Sequence, residues 1–177
     1  MRRQKLNTSI YAKHPWKTED VVWAYEKYLR RSKLFVKLRF AYFLVGVSFL
    51  SFALYRISVK QDLPALIFII LGMYFLLIYR IRLYFFSRNF QRLGYENRQV
   101  EWEINEDEII CRMLNLSETI FSWNLVNFIL ETSKGFIFST QQGMFCWLPK
   151  YAFKNEEDIT QFAYLAKDKV KNWQRIK

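Results

Sequence analysis

The residues able to do chemistry are few and scattered. His14 is the only histidine, and it precedes Pro15 and Trp16 in a polar N-terminal segment. With no second imidazole, a histidine-based metal cluster is excluded, and a catalytic role for His14 is disfavoured. Cys111 and Cys146 are far apart and show no C-x-x-C spacing. They read as small buried apolar residues in a reducing compartment, not as a disulfide or a metal site. Glu101 with Glu103, and Asp107 with Glu108, resemble paired carboxylates, but both pairs fall on a solvent face or a turn, where charge is ordinary. The five glycines form no G-x-G-x-x-G and no phosphate loop. The expectation is a protein that is not an enzyme, with no catalytic residue, no cofactor and no metal. A lipid-directed enzyme would need a pocket that the sequence does not announce.

The elements around these residues are more informative. Phe40 to Tyr55 and Leu63 to Tyr79 contain no charged residue. Aromatic and branched side chains cover every face of both runs, so neither has a polar side to offer water. Sixteen residues at ~1.5 Å rise reach only ~24 Å, short of a ~30 Å hydrocarbon core. Lys37, Arg39 and Arg56 can snorkel at the ends and extend the span. Pro64 sits in a first turn, where a helix tolerates it. The short connector from Arg56 to Asp62 forces an antiparallel hairpin, expected at residues 37–92 with spans of about 38–57 and 62–81. Gly46, Ser48, Ser51 and Gly72 allow close helix packing. With no ionisable residue inside either span, a pore or transporter is disfavoured.

Charge divides the chain. Residues 1–98 hold 18 Lys/Arg against 5 Asp/Glu, a balance of +13, whereas residues 99–177 hold 9 against 11, a balance of −2. The basicity accompanies the apolar runs, as in a membrane anchor with cationic flanks, and not as in a nucleic-acid reader. Basic residues gather before the first run and again at Arg80, Arg82, Arg88, Arg92 and Arg98. Only Arg56 and Lys60 lie in the connector. Both termini are therefore expected in the cytoplasm. The sequons at Asn7 and Asn115 would then lie on the wrong side for glycosylation. Arg80, Arg82, Arg88 and Arg92 are candidate contacts for anionic lipid, although such a cluster often only sets topology. No secretory signal is expected, because no apolar stretch follows Met1-Arg2-Arg3-Gln4-Lys5 closely enough.

Residues 1–36 read as a tail, with a possible short strand, followed by a helix from Thr18. Val21, Val22, Tyr25, Tyr28 and Leu29 recur there at helical spacing. That helix either lies at the membrane surface or packs on the soluble domain. From Gln99 the pattern changes to alternation in Val100, Trp102 and Ile104, and six consecutive antiparallel strands are expected up to Leu148. Asn155 caps a final helix whose stripe runs from Ile159 through Phe162, Ala166 and Val170 to Trp173. Residues 99–177 thus form a small α+β domain closed by the helix.

The segments Ile120-Phe121-Ser122-Trp123, Phe128-Ile129-Leu130-Glu131, Gly135-Phe136-Ile137-Phe138 and Leu148-Pro149-Lys150-Tyr151-Ala152-Phe153 precede an acidic helix start. Together with the preceding hairpin, they resemble the YcxB-like family of bacterial membrane proteins. The resemblance implies a pleckstrin-homology-like soluble domain and a place in the bacterial inner membrane. It carries over no catalytic or ligand residue, and it makes Trp123 and Phe153 core aromatics.

The expected function is a membrane-anchored, non-enzymatic interaction module. Its partners are the lipid bilayer and a protein, a second copy of itself or an anionic headgroup, with no nucleic acid. The alternative is an immunity or regulatory protein that acts through its hairpin on another membrane protein.

Overall fold

The computed structural model describes residues 9–60, 62–114, 117–141 and 145–176. The chain runs β1 (Ile10–Pro15), α1 (Thr18–Arg31), α2 (Lys33–Ser58) and α3 (Asp62–Arg92). It continues with β2 (Gln99–Ile104), β3 (Glu108–Met113), β4 (Ser117–Ser122), β5 (Val126–Glu131), β6 (Gly135–Thr140) and β7 (Phe145–Pro149). Last come α4 (Glu156–Lys169) and β8 (Trp173–Arg175). The architecture is α+β: two long apolar helices, then antiparallel strands and a C-terminal helix. Two compact units result, one of residues up to Ala24 together with Gly94 onward, the other of Tyr25–Leu93. The two sequons at Asn7 and Asn115, the Gln142-Gly143 turn and Met144 lie outside the described residues.

In the second unit, Ser32 caps α2, its Oγ accepting from the Phe35 N–H at 3.4 Å. The α2–α3 hairpin closes on small residues. A methyl group added at Gly46 would lie 3.1 Å from the Gly72 carbonyl oxygen, and one at Gly72 3.0 Å from that of Gly46. Seven residues away on each helix, Ala53 and Ala65 are fully covered. A seven-residue repeat of small side chains is the spacing that keeps two helices close. Phe49 fills the level between, stacked on Phe68 at 5.9 Å and Phe75 at 5.7 Å. Ser48, by contrast, donates to its own helix at Leu44 O. Both helices are long and apolar enough to cross a membrane, and only 11% of the most apolar stretch of each is buried. A core helix of a soluble protein would be mostly covered. Past the apolar run of α3, Tyr84 and Phe85 are exposed, whereas Phe86 stacks on Tyr25 at 4.1 Å.

In the first unit the strands form two sheets, β1-β2-β3-β4 and β7-β6-β5-β8, where a single meander was expected. The ladder breaks after β4 because Trp123–Leu125 turns as one 3₁₀ segment, and Trp123 Nε1 donates to Asn105 O at 2.8 Å. The sheets meet through aromatics: Phe138 of β6 lies 5.6 Å from Trp102 of β2 and 6.0 Å from Phe121 of β4. From α4, Phe162 enters the same core, 4.6 Å from Phe136 and 5.7 Å from Phe153. Asn155 caps α4 as expected, accepting from the Asp158 N–H at 2.7 Å.

The two ends of this unit stand differently against expectation. The segment read as a tail with a possible short strand does form a strand, β1, paired antiparallel with β2 from Ile10↔Ile104 to Pro15↔Gln99. A domain bounded at residue 99 therefore omits one of its strands. At the other end, Trp173 leaves the helical stripe. Val170 is extended (φ −111°, ψ 121°), and the chain returns as β8, parallel to β5. Asn172 holds the crossover, its side chain donating to Asn127 O at 3.2 Å while its carbonyl accepts from Ile129 N. That short strand covers the outer edge of β5, which would otherwise present unpaired backbone.

Candidate functional site

The residues with chemical potential are placed one by one by the strands that carry them. Alternation on β2 turns Glu101 and Glu103 outward. Lys13 Nζ donates to Glu101 at 2.6 Å, and Tyr11 Oη to Glu103 at 3.2 Å. Arg112 spans Glu103 at 2.8 Å and Glu118 at 2.9 Å. Each carboxylate thus sits opposite a cation or hydroxyl on the neighbouring strand, a cross-strand ladder of exposed charge. Asp107 lies in the turn before β3 and Glu108 opens that strand, and Asn105 Oδ1 accepts from both their backbone N–H groups. Among the described residues, no three of His, Cys, Asp and Glu converge on a point.

Cys111 is partly buried and Cys146 buried, both as free thiols. Burial pushes the Cys111 thiol up to about 12 and the Cys146 thiol higher than its ordinary value too. Thiols raised that far are not thiolates near neutrality and are poor nucleophiles.

His14 departs most from the sequence reading. It lies on the inward side of β1, 2% exposed, opposite Val100. Its ring meets the Tyr151 ring edge-on at 6.1 Å, and among the described residues neither ring nitrogen has a hydrogen-bond partner. Burial lowers its pKa to about 4, with the nearby Asp20 charge offsetting part of the shift. Asp20 itself accepts from Tyr151 Oη at 2.7 Å, and burial together with that bond raises the tyrosine. A neutral, enclosed imidazole at pH 7 is a packing element here. The period-two pattern of Ile10, Ala12 and His14 was the available signal.

The most specific sequence motif is structural as well. Trp123 and Phe153 are buried. Lys150 leaves β7 through a 3₁₀ turn, with Nζ 3.3 Å from Glu131 and 5.6 Å from the centre of the Phe136 ring. Arg175 of β8 reaches the same carboxylate at 3.6 Å. Gly135 is required by contact: a Cβ there would sit 2.5 Å from Leu148 O and 2.6 Å from Pro149 Cα. Trp23 of α1 packs on Trp147 at 5.6 Å, and Lys134 stands over Trp23 at 5.0 Å.

The four arginines after the second apolar run do not form one cluster. Arg80 and Arg82 line a groove of about 400 Å³ between α2 and α3, together with Arg39, Phe35, Tyr42 and Phe75. Arg39 stands over the Tyr79 ring at 4.7 Å. Arg88 instead lies near Tyr84 Oη at 3.4 Å, and neither it nor Arg92 lines the groove. Arg39 had been read only as a snorkelling flank of the first span. The antiparallel hairpin sets residue 39 level with residue 79 and so joins the two flanks.

A family model described as YcxB-like protein matches residues 104–166, the stretch from the end of β2 into α4. It contains the Trp123 and Leu148-Pro149-Lys150 segments that carried the resemblance. No curated protein and no solved structure matches the chain.

Proposed function

We propose that this chain, whose residues 104–166 match the YcxB-like family model, is a membrane-anchored, non-enzymatic interaction module. The observation that carries this reading is the uncovered apolar surface of the hairpin. Phe40, Phe43, Leu63, Ile70 and Leu66 all face outward from α2 and α3. A soluble monomer seldom exposes a contiguous apolar patch larger than a few hundred Å². Helices whose whole surface is apolar are at ease in hydrocarbon, where their backbone groups satisfy one another.

In this reading the hairpin crosses the bacterial cytoplasmic membrane twice, with both termini cytoplasmic. The Lys/Arg excess on the flanks over the connector supports that orientation. The sheet unit is held at the inner leaflet as a pleckstrin-homology-like domain that meets a protein or lipid partner. Two packed sheets, antiparallel except for the β5–β8 pair, with a C-terminal helix support that likeness. The paired surface carboxylates and the buried, raised thiols support a binding role over catalysis.

The topology has a direct test in whole cells. Cysteine placed at Ser58 in the connector and, separately, at Ser133 in the β5–β6 turn is treated with a membrane-impermeant maleimide. Labelling at 58 in intact cells, and at 133 only after permeabilisation, is the expected result. The reverse pattern, or equal labelling, contradicts it.

A further inference from the structure

We propose that the groove between α2 and α3 is a binding site for one glycerophospholipid with an anionic headgroup, its phosphate held by Arg39, Arg80 and Arg82. The inference rests on the membrane reading above and names a partner for it.

Three observations converge. First, the groove combines apolar and cationic lining. Phe35, Tyr42 and Phe75 line it together with Arg39, Arg80 and Arg82, and no Asp or Glu is among its lining residues. A phospholipid offers the matching pair of chemistries, an apolar chain and a phosphate. Second, the position is the membrane–water boundary. Arg39 immediately precedes the uncharged run Phe40 to Tyr55, and Arg80 immediately follows the run Leu63 to Tyr79. Antiparallel packing brings those two ends level, as the Arg39–Tyr79 contact at 4.7 Å records. Third, the size fits. A volume of about 400 Å³ takes part of one acyl chain and a headgroup, not a layer of annular lipid.

The chemistry also selects the ligand. Guanidinium is a planar donor fork that matches phosphate oxygens and has no acceptor. Arg39 is already set in place by its cation–π contact with Tyr79, so less ordering is needed when phosphate arrives. Arg88, bonded to Tyr84 about two helical turns beyond Arg80, lies outside the groove, and so does Arg92. The site is therefore a specific subset of the juxtamembrane arginines joined by one from the other helix.

The test is native mass spectrometry of the full chain released from nanodiscs containing equal parts phosphatidylcholine and phosphatidylglycerol. One retained phosphatidylglycerol per chain is expected. Each cation near a membrane surface contributes on the order of a fivefold preference, so R39Q/R80Q/R82Q should lower its retention by at least about tenfold. R88Q/R92Q should leave it within about twofold, because the two lie about 12 and 18 Å beyond Arg80 along α3, past a Debye length from the boundary. All five arginines are exposed, and unchanged helical circular dichroism of each variant verifies that the fold persists. Equal retention of both lipids, or equal loss in the two variants, overturns the site while leaving the anchor intact. Failure of the chain to enter nanodiscs overturns the anchor itself.

Discussion

The two units use the same side chains in opposite ways. In the sheet unit, Trp102, Trp147, Phe136, Phe138 and Phe162 are almost wholly covered. In the hairpin, Phe40 is 62% and Leu63 76% exposed, and among the described residues of the two charge-free runs the buried positions are Gly46, Ala53, Ala65 and Gly72. One unit is built by burying large residues against each other. The other brings backbones together over small residues and turns the large ones out. Composition alone cannot separate these solutions, but the position of charge can. β1 and β2 of the sheet unit alternate apolar residues with Lys or Glu, whereas both hairpin runs lack any charge over sixteen residues or more.

Truncations in the two units should therefore behave differently. Phe136→Ala removes the ring that meets both Phe162 and Phe153 and should cost about 3–5 kcal/mol. Phe43→Ala, on an outward hairpin position, should change stability by less than about 0.5 kcal/mol. Chemical denaturation of the detergent-solubilised chain measures both, followed by tryptophan fluorescence for the sheet unit and by helical circular dichroism for the hairpin unit, which contains no tryptophan. A similar cost at the two sites would remove the distinction.

Acid should weaken only the sheet unit. His14 has a folded pKa of about 4, below its ordinary 6.5. The unfolded chain therefore binds the proton first as pH falls. Stability contributed by the neutral ring is complete above about pH 6.5 and is lost on the way to pH 4, to a total of about 3 kcal/mol. His14→Phe should flatten that part of the pH–stability curve. An unaltered curve would show that His14 is not the group responsible.

Gly135→Ala comes next. Its Cβ meets backbone atoms of β7, so relief requires strand movement, and a loss of about 1–3 kcal/mol is expected in thermal melts. An unchanged melting temperature would mean that β6 and β7 separate easily there. The smallest effect belongs to the surface ladder. Lys13→Ala removes an exposed ion pair to Glu101 and should cost under about 1 kcal/mol, less in high salt.

Much of this division was legible in the sequence. The charge-free runs located α2 and α3, and alternation in Val100, Trp102 and Ile104 gave β2 the right inward face. Gly94, just past the end of α3, takes a left-handed φ of +69°, which glycine supplies at helix ends. The missing parts are long-range. β1 is six residues of weak alternation whose partner β2 lies about ninety residues away, and no local pattern encodes that pairing. β8 was hidden because Trp173 falls on the extended line of the α4 stripe, and no Gly or Pro marks the stop after Lys169. Likewise, four arginines close in sequence looked like one cluster. Distance along α3 leaves Arg88 and Arg92 beyond the groove, and the antiparallel partner brings in Arg39.

Whether the hairpin is a membrane anchor is decided by alkaline carbonate extraction of membranes from expressing cells. Retention of the full chain in the pellet after carbonate, with release only by detergent, is the predicted result. Release of the chain into the carbonate supernatant would contradict it.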